Sequence, residues 1–120
     1  MLKESTQWLL FLLAGLVMLA VLGVHYGVMH LSGLTVGETH AQVLSFKSVH
    51  ARSGQVFYLV VYLTLLVAAL YHGLYGLRAI VFEISAIPEG LRKAIGLLLV
   101  VAGWGFFFFG SWAIIKGFLG

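Results

Sequence analysis

Residues 56–82 read VFYLVVYLTLLVAALYHGLYGLRAIVF, an apolar run that contains one histidine, His72, and one arginine, Arg78. The run is longer than the ~20 residues that a helix needs to cross the hydrocarbon core of a bilayer. Because lipid offers backbone groups no hydrogen-bonding partner, a run of this kind is expected to be helical. The sequence therefore predicts a transmembrane helix with an imidazole inside the membrane, where an ionisable group is costly unless it has a function.

The composition indicates that the whole chain is a membrane protein. Hydrophobic residues make up 62% and charged residues 9% of its 120 residues, more apolar surface than a soluble domain of this size can bury. Two further runs of spanning length and no strand-like alternation predict an all-α integral membrane protein with three transmembrane helices, at about 8–31, 56–82 and 94–118. These helices form one transmembrane domain over residues 1–120 and are expected to join a multi-subunit helix bundle.

Charge and cysteine content exclude several functions. The net charge of +3 arises at helix ends and connections, which indicates contact with lipid rather than nucleic acid. The absence of cysteine excludes disulfides, thiolate-bound iron–sulfur or zinc sites and covalent c-type haem within this chain. The first connection is expected to contain a short interfacial helix over residues 41–49. The cations divide into four on the amino-terminal side (Lys3, Arg78, Arg92, Lys93) and three on the other (Lys47, Arg52, Lys116). This division slightly favours an amino-terminus on the inside.

The second predicted helix has small side chains around its histidine. At 100° per residue, Ala68, His72, Gly76 and Ala79 fall on one face, so the imidazole has little bulk one turn before and after it. A flat macrocycle bound to the imidazole needs such a surface, and this pattern predicts that His72 is a haem ligand. A structural role for His72 would instead require a hydrogen-bonding partner in another helix.

The first predicted helix contains a second candidate ligand. His25 lies roughly 25 Å and His30 roughly 33 Å along the helix from Trp8, so His25 is within the hydrocarbon and His30 at the far interface. His25 is therefore the predicted ligand and His30 the alternative. Gly23 and Gly27 predict close packing of this part of the helix against another.

The depths of the two histidines restrict how they can bind iron. Successive helices are antiparallel, so His25 lies towards the far face and His72 towards the near face. The two imidazoles cannot bind one iron, and each needs a partner histidine from another chain. The sequence predicts either one haem on His72 or two haems stacked across the membrane.

The third predicted helix carries a glycine at every seventh position, namely Gly96, Gly103, Gly110 and Gly117. A repeat of seven keeps these residues on one slowly drifting stripe. Glycine stripes let helix backbones approach closely in membranes. The stripe predicts packing against another helix without identifying it.

The run Leu-Tyr-His-Gly-Leu-Tyr-Gly-Leu-Arg at residues 70–78, followed by Glu83, resembles the second helix of the membrane-anchor subunits of succinate dehydrogenase and fumarate reductase. Their pattern is a haem-ligating histidine, then Gly-x-x-Gly-x-Arg, then an acidic residue near the membrane surface. The Ala-Gly pair ending at Gly15, ten residues before His25, is similar to the first helix of the smaller anchor of the di-haem, actinobacterial type. Arg52 matches the arginine that such anchors carry before their second transmembrane helix.

The resemblance implies a role for each site residue. His72 would ligate the haem nearer the catalytic head and His25 the more distant one. Arg78 would pair with a haem propionate or orient a quinone head, and Glu83 would take part in proton delivery at the quinone pocket. Glu83 is followed by Ile84 where single-haem anchors commonly have tyrosine, so most of a quinone site would belong to partner chains.

The resemblance implies a non-catalytic, haem b-binding anchor subunit of a succinate:quinone oxidoreductase, the respiratory complex II of the tricarboxylic acid cycle, in the inner (cytoplasmic) membrane. Its partners would be a second anchor subunit, an iron–sulfur subunit, a flavoprotein subunit and quinone, with one or two b haems shared between the anchors. Two alternatives are a di-haem cytochrome b subunit of a hydrogenase or heterodisulfide reductase type and a haem-free structural or assembly subunit. A reduced-minus-oxidised spectrum separates the haem-containing from the haem-free class.

Overall fold

The computed structural model describes residues 2–120, and in this range it contains helices and no strand. The three long helices are α1 (Glu4–His30), α5 (Val56–Glu83) and α6 (Glu89–Leu119). Each is long and apolar enough to cross a membrane, which confirms the prediction of an all-α protein with three transmembrane helices. The first connection holds three short helices, α2 (Ser32–Thr35), α3 (His40–Val43) and α4 (Phe46–Ser53).

Two of the long helices begin before the apolar runs that predict them, whereas α5 begins at Val56 as predicted. α1 begins at Glu4 rather than at residue 8, and α6 begins at Glu89 rather than at residue 94. Hydropathy marks the part of a helix that lies in lipid, whereas backbone hydrogen bonding continues into the polar residues at the surface. Glu89 in the first turn of α6 also suits the positive end of the helix dipole, and it pairs with Lys93 at 2.8 Å.

α5 is the central helix of the chain. Both α1 and α6 pack along it, and in the part of the chain that the structure describes α1 and α6 do not contact each other. Large apolar side chains remain exposed along all three helices. This surface is suited to lipid and to other membrane subunits.

The glycine stripe of α6 faces α5 within the same chain. A Cβ atom at Gly103 would lie 2.8 Å from Leu74 Cδ1, and one at Gly110 would lie 2.9 Å from Leu66 Cδ1. Both distances are shorter than van der Waals contact, so the stripe is what allows the two helices to approach. The close packing predicted from the stripe is therefore the packing of α6 against α5 of the same chain.

The first connection folds over the end of α1. The expected helix at residues 41–49 is divided in two, because the Ser45 hydroxyl accepts from the backbone N–H of Ser48 and caps a new helix, α4. Arg52 on α4 donates through Nη2 to the carbonyl oxygen of Val43 at 2.7 Å and lies 3.7 Å from Met29 Sδ. The arginine that the family resemblance singled out thus joins the connection to α1.

Candidate cofactor site

His72 is held by α1. Its Nδ1 atom lies 2.9 Å from the backbone oxygen of Phe11, and its ring stacks on the Phe11 ring with centroids 4.2 Å apart and planes 6° apart. A carbonyl oxygen only accepts hydrogen bonds, so Nδ1 carries the proton and donates it. The proton on Nδ1 leaves the lone pair on Nε2, the arrangement of a histidine that ligates a metal.

Gly15 provides the space that the His72 ring occupies. A Cβ atom at this position would lie 2.9 Å from His72 Cε1 and 3.0 Å from Nδ1. Any other residue would displace the ring or the helix. The sequence analysis connected Gly15 with His25 through a family pattern, whereas the structure places it against His72. The contact of Phe11 and Gly15 with His72 was missed, and the only signal for it is that the two residues are one turn apart on α1.

The small-residue face of α5 is covered by α1. Ala68 is buried, and a Cβ atom at Gly76 would lie 3.2 Å from Phe11 Cε2. The sequence analysis expected this face to be clear for a macrocycle. The difference arises because small side chains that admit a cofactor also let a neighbouring helix approach. Open space beside His72 remains at Gly73, where an added Cβ would meet nothing within 4 Å.

His25 lies at a different depth from His72. Its ring meets the Tyr62 ring edge-on, with centroids 6.1 Å apart. Tyr62 precedes His72 by ten residues on α5, and Gly15 precedes His25 by ten residues on α1. At 1.5 Å per residue, both intervals place the two imidazoles roughly 15 Å apart along the helices. Within this chain the two histidines cannot share one iron.

His25 is half-buried, as His72 is, but its ring is not held by a hydrogen bond. Over residues 2–120, no hydrogen bond reaches its ring. The expectation that Gly23 and Gly27 mark close packing is not met inside this chain, because a Cβ atom at either position would meet nothing within 4 Å. The reason is that α1 contacts α5 through its other face, that of Phe11 and Gly15.

His30 occupies the end of α1 in an aromatic stack. Its ring lies 4.6 Å from that of Tyr26 and 5.0 Å from that of His40. His40, to which the sequence analysis assigned no role, also has Nδ1 3.1 Å from the carbonyl oxygen of Met29. His30 is exposed, and its place at the membrane interface stays a prediction.

Arg78 and His72 lie on different sides of α5. Arg78 lines a groove between α5 and α6, with its guanidinium carbon 4.4 Å from the centre of the Phe82 ring. Six residues at 100° each turn Arg78 about 240° from His72, which explains the separation. Glu83, eleven residues beyond His72, returns to nearly the same direction and is exposed as the last residue of α5.

Residues 2–120 contain no cluster of three or more histidine, cysteine or acidic side chains suited to a metal ion. A b-type haem needs no such cluster, since the protein supplies only axial ligands. A single imidazole from each of two chains is enough. The residues present are therefore compatible with a haem shared between two chains.

A comparison with curated proteins identifies a relative along nearly the whole chain. The chain is 31% identical over 115 residues to the succinate dehydrogenase hydrophobic membrane anchor subunit of Archaeoglobus fulgidus, an alignment that covers 94% of this chain and 90% of the relative. The chain belongs to the succinate dehydrogenase membrane-anchor subunits. No protein-family profile and no solved structure matches it.

Membership of this family confirms the family that the sequence resemblance indicated. It also makes the chain a multi-pass membrane protein, in agreement with its three spanning helices. An anchor subunit works in a complex, so partner catalytic subunits are implied.

Proposed function

We propose that this anchor subunit binds haem b in a succinate:quinone oxidoreductase of the inner (cytoplasmic) membrane, where it helps to pass electrons between an iron–sulfur subunit and membrane quinone. The observation that carries the proposal is the state of His72. Its Nδ1 proton is bound by the Phe11 carbonyl oxygen within a membrane helix, which leaves Nε2 as a ligand.

His72 would supply one axial ligand, and a second anchor subunit would supply the other. A b haem supplies reversible one-electron storage at this position. Phe11 and Gly15 hold the imidazole in one orientation, by a hydrogen bond, a ring stack and the absence of a side chain. Gly76 contributes by leaving room for the Phe11 ring.

His25 is the proposed ligand of a second haem, with its other axial ligand again from a neighbouring chain. The support is its depth, roughly 15 Å from His72, and an imidazole that no hydrogen bond occupies within residues 2–120. His30 is the alternative ligand, although its ring is engaged with Tyr26 and His40.

Arg78 and Glu83 are the residues that we propose for a quinone site. Both lie in the last two turns of α5, where a quinone head would meet the catalytic subunits. Arg78 would bind a propionate or a quinone oxygen, and Glu83 would exchange protons with solvent. Since the two side chains leave α5 in different directions, partner chains would complete the site.

A haem-free anchor is the second candidate function, and one observation favours it. His72 already has a hydrogen-bonding partner in another helix, the Phe11 carbonyl of α1, which is what a structural role requires. Family membership favours a succinate dehydrogenase head over the hydrogenase or heterodisulfide reductase alternative.

The test is a reduced-minus-oxidised absorption spectrum of the purified complex, with haem quantified by extraction. We expect a b-type α-band in the parent complex and its loss or reduction in His72→Ala, with the subunits still assembled. His50→Ala is the matched control, since His50 is an exposed residue of α4 and should leave the band unchanged. A parent complex without any α-band would establish the haem-free function.

A further inference from the structure

A groove runs along α5 and α6 on the side away from His72. It has a volume of about 1060 Å³ and is mostly apolar. Its walls are large side chains of both helices, among them Leu70, Leu74, Leu97, Val100, Trp104 and Phe107. The helices touch through the glycine stripe, and the bulky residues beside the stripe leave the groove between them open to the membrane.

The surface end of the groove is cationic. Arg78, Arg92 and Lys93 line it together with a single carboxylate, Glu89. Glu89 is paired with Lys93, and Arg92 donates to the carbonyl oxygens of Ile84 and Ile87 in the turn before α6. Arg78 has no carboxylate partner within residues 2–120 and rests on the Phe82 ring. The mouth of the groove therefore carries an excess of positive charge.

The part of the groove below Arg78 matches one leaflet of a bilayer in length. From Arg78 to Val67, the last groove residue of α5 on this side, there are eleven residues, or roughly 16 Å at 1.5 Å per residue. Half of the hydrocarbon thickness is about 15 Å. A helix of a partner subunit would cross both leaflets and would extend beyond the groove. A neutral quinone ring would gain little binding energy from several cations. An acyl chain below an anionic headgroup matches both the length of the groove and the positive charge at its mouth.

We propose that this groove binds an anionic phospholipid, with the phosphate at the cationic mouth formed by Arg78, Arg92 and Lys93 and the acyl chains along Leu74, Val100 and Phe107. Basic pockets between membrane helices bind anionic headgroups by this combination of charge and apolar surface. His72 faces α1 and does not line the groove, whereas Arg78, the residue proposed above for a haem propionate or a quinone oxygen, lies at its mouth. The variants that test the lipid site are therefore placed at Val100 and Lys93.

The first experiment fills the groove and measures lipid retained by the complex. Val100 lines the groove and Val101 does not, yet the two are 58% and 60% exposed on the same helix. After purification of the complex in mild detergent, lipids are extracted and identified by mass spectrometry. We expect Val100→Trp to lose a tightly held anionic phospholipid that the parent complex and Val101→Trp both retain.

The second experiment tests the charge of the mouth without altering the apolar walls. Lys93→Gln is compared with Lys3→Gln, a cation outside the groove. Parent and variant complexes are titrated with phosphatidylglycerol and with phosphatidylcholine and followed by native mass spectrometry. We expect Lys93→Gln to weaken phosphatidylglycerol binding about fivefold, from about 1 kcal/mol per cation near a lipid surface, and Lys3→Gln to match the parent. Inorganic phosphate alone should not displace the lipid.

Three results would overturn the proposal. Equal lipid retention by Val100→Trp and Val101→Trp would mean that the groove holds no lipid. A loss of bound quinone in Val100→Trp with the phospholipid retained would assign the groove to quinone. Dissociation of another membrane subunit in Val100→Trp alone would make the groove a protein interface.

Discussion

His72 and His25 are both imidazoles within membrane helices, but only His72 is held by its own chain. Phe11 binds the Nδ1 atom of His72 and stacks on its ring, and Gly15 leaves room for it. The ring of His25 meets the edge of the Tyr62 ring, and no hydrogen bond reaches it within residues 2–120. The difference shows that α1 and α5 together position the His72 ring, whereas within residues 2–120 no hydrogen bond positions the His25 ring.

This contrast has an energetic basis. A polar group buried without a hydrogen bond costs about 1–3 kcal/mol in proteins, and the Phe11 carbonyl removes that cost for His72. His25 has no such compensation within residues 2–120. Its imidazole is more favourable in the assembled complex if a metal or a donor from another chain reaches it. The contrast leads to four predictions, ordered by their effect on the stability of the chain.

The largest effect is expected from Gly15→Val. The Cβ position lies 2.9 Å from the His72 ring, and this ring is fixed by its hydrogen bond and stack, so α1 must move away from α5. Overpacking of this kind costs about 1–3 kcal/mol, with the lost hydrogen bond in addition. Thermal denaturation of the complex in mild detergent measures it.

The matched control for Gly15→Val is Gly23→Val on the same helix, where an added Cβ meets nothing within 4 Å. We expect it to leave the thermal midpoint of the chain close to that of the parent. Equal destabilisation by both variants would mean that the contact of α1 with His72 is no tighter than the surroundings of Gly23.

Gly103→Leu should have the next largest effect, because an added Cβ lies 2.8 Å from the end of the Leu74 side chain. Leu74 can move to another rotamer, so we expect about 1–2 kcal/mol, at the lower end of overpacking costs. Gly105→Leu serves as the control, since nothing lies within 4 Å of its added Cβ. If Gly103→Leu resists detergent and heat as well as Gly105→Leu does, the α6 stripe does not hold α6 to α5.

Much of the fold follows from the sequence. The lengths of the apolar runs predict three spans, and the spacing of Gly96 to Gly117 predicts the contact surface of α6, because both properties depend on a single helix. The division of the first connection was missed, although Ser45 is a residue type that commonly caps helices.

The candidate site is less predictable for a physical reason. His72 can be found from one helix, since an imidazole in an apolar run is rare and costly. Its contact with Phe11 and Gly15 depends on the relative depth and rotation of α1 and α5, which no local pattern encodes. For the same reason Gly15 and Gly23 look alike in the sequence, yet only Gly15 faces another helix.

Phe11→Leu should have a smaller effect, because it keeps the backbone carbonyl that binds His72 and removes only the ring stack. Stacked aromatic pairs contribute about 0.5–1.5 kcal/mol beyond the area they bury. Leu12→Ala is a suitable control on an exposed position of α1. We expect the haem midpoint potential to shift in Phe11→Leu and not in Leu12→Ala, since the imidazole loses part of its orientation. An unchanged potential and stability would mean that the hydrogen bond alone positions His72.

His25→Ala should have the smallest effect on the chain itself. The aromatic contact of its ring is with the edge of Tyr62, so loss of the ring should leave helix packing and the surroundings of His72 unchanged. Under the proposed two-haem arrangement, each haem would be held by one histidine from each anchor. We therefore expect the His25→Ala complex to lose about half its haem and one of two midpoint potentials. His30→Ala, which removes an exposed ring stacked on His40, should lose none. Haem extraction and a redox titration measure both. A His25→Ala complex that retains both potentials, or a parent with a single haem per anchor pair, would make His25 a packing residue.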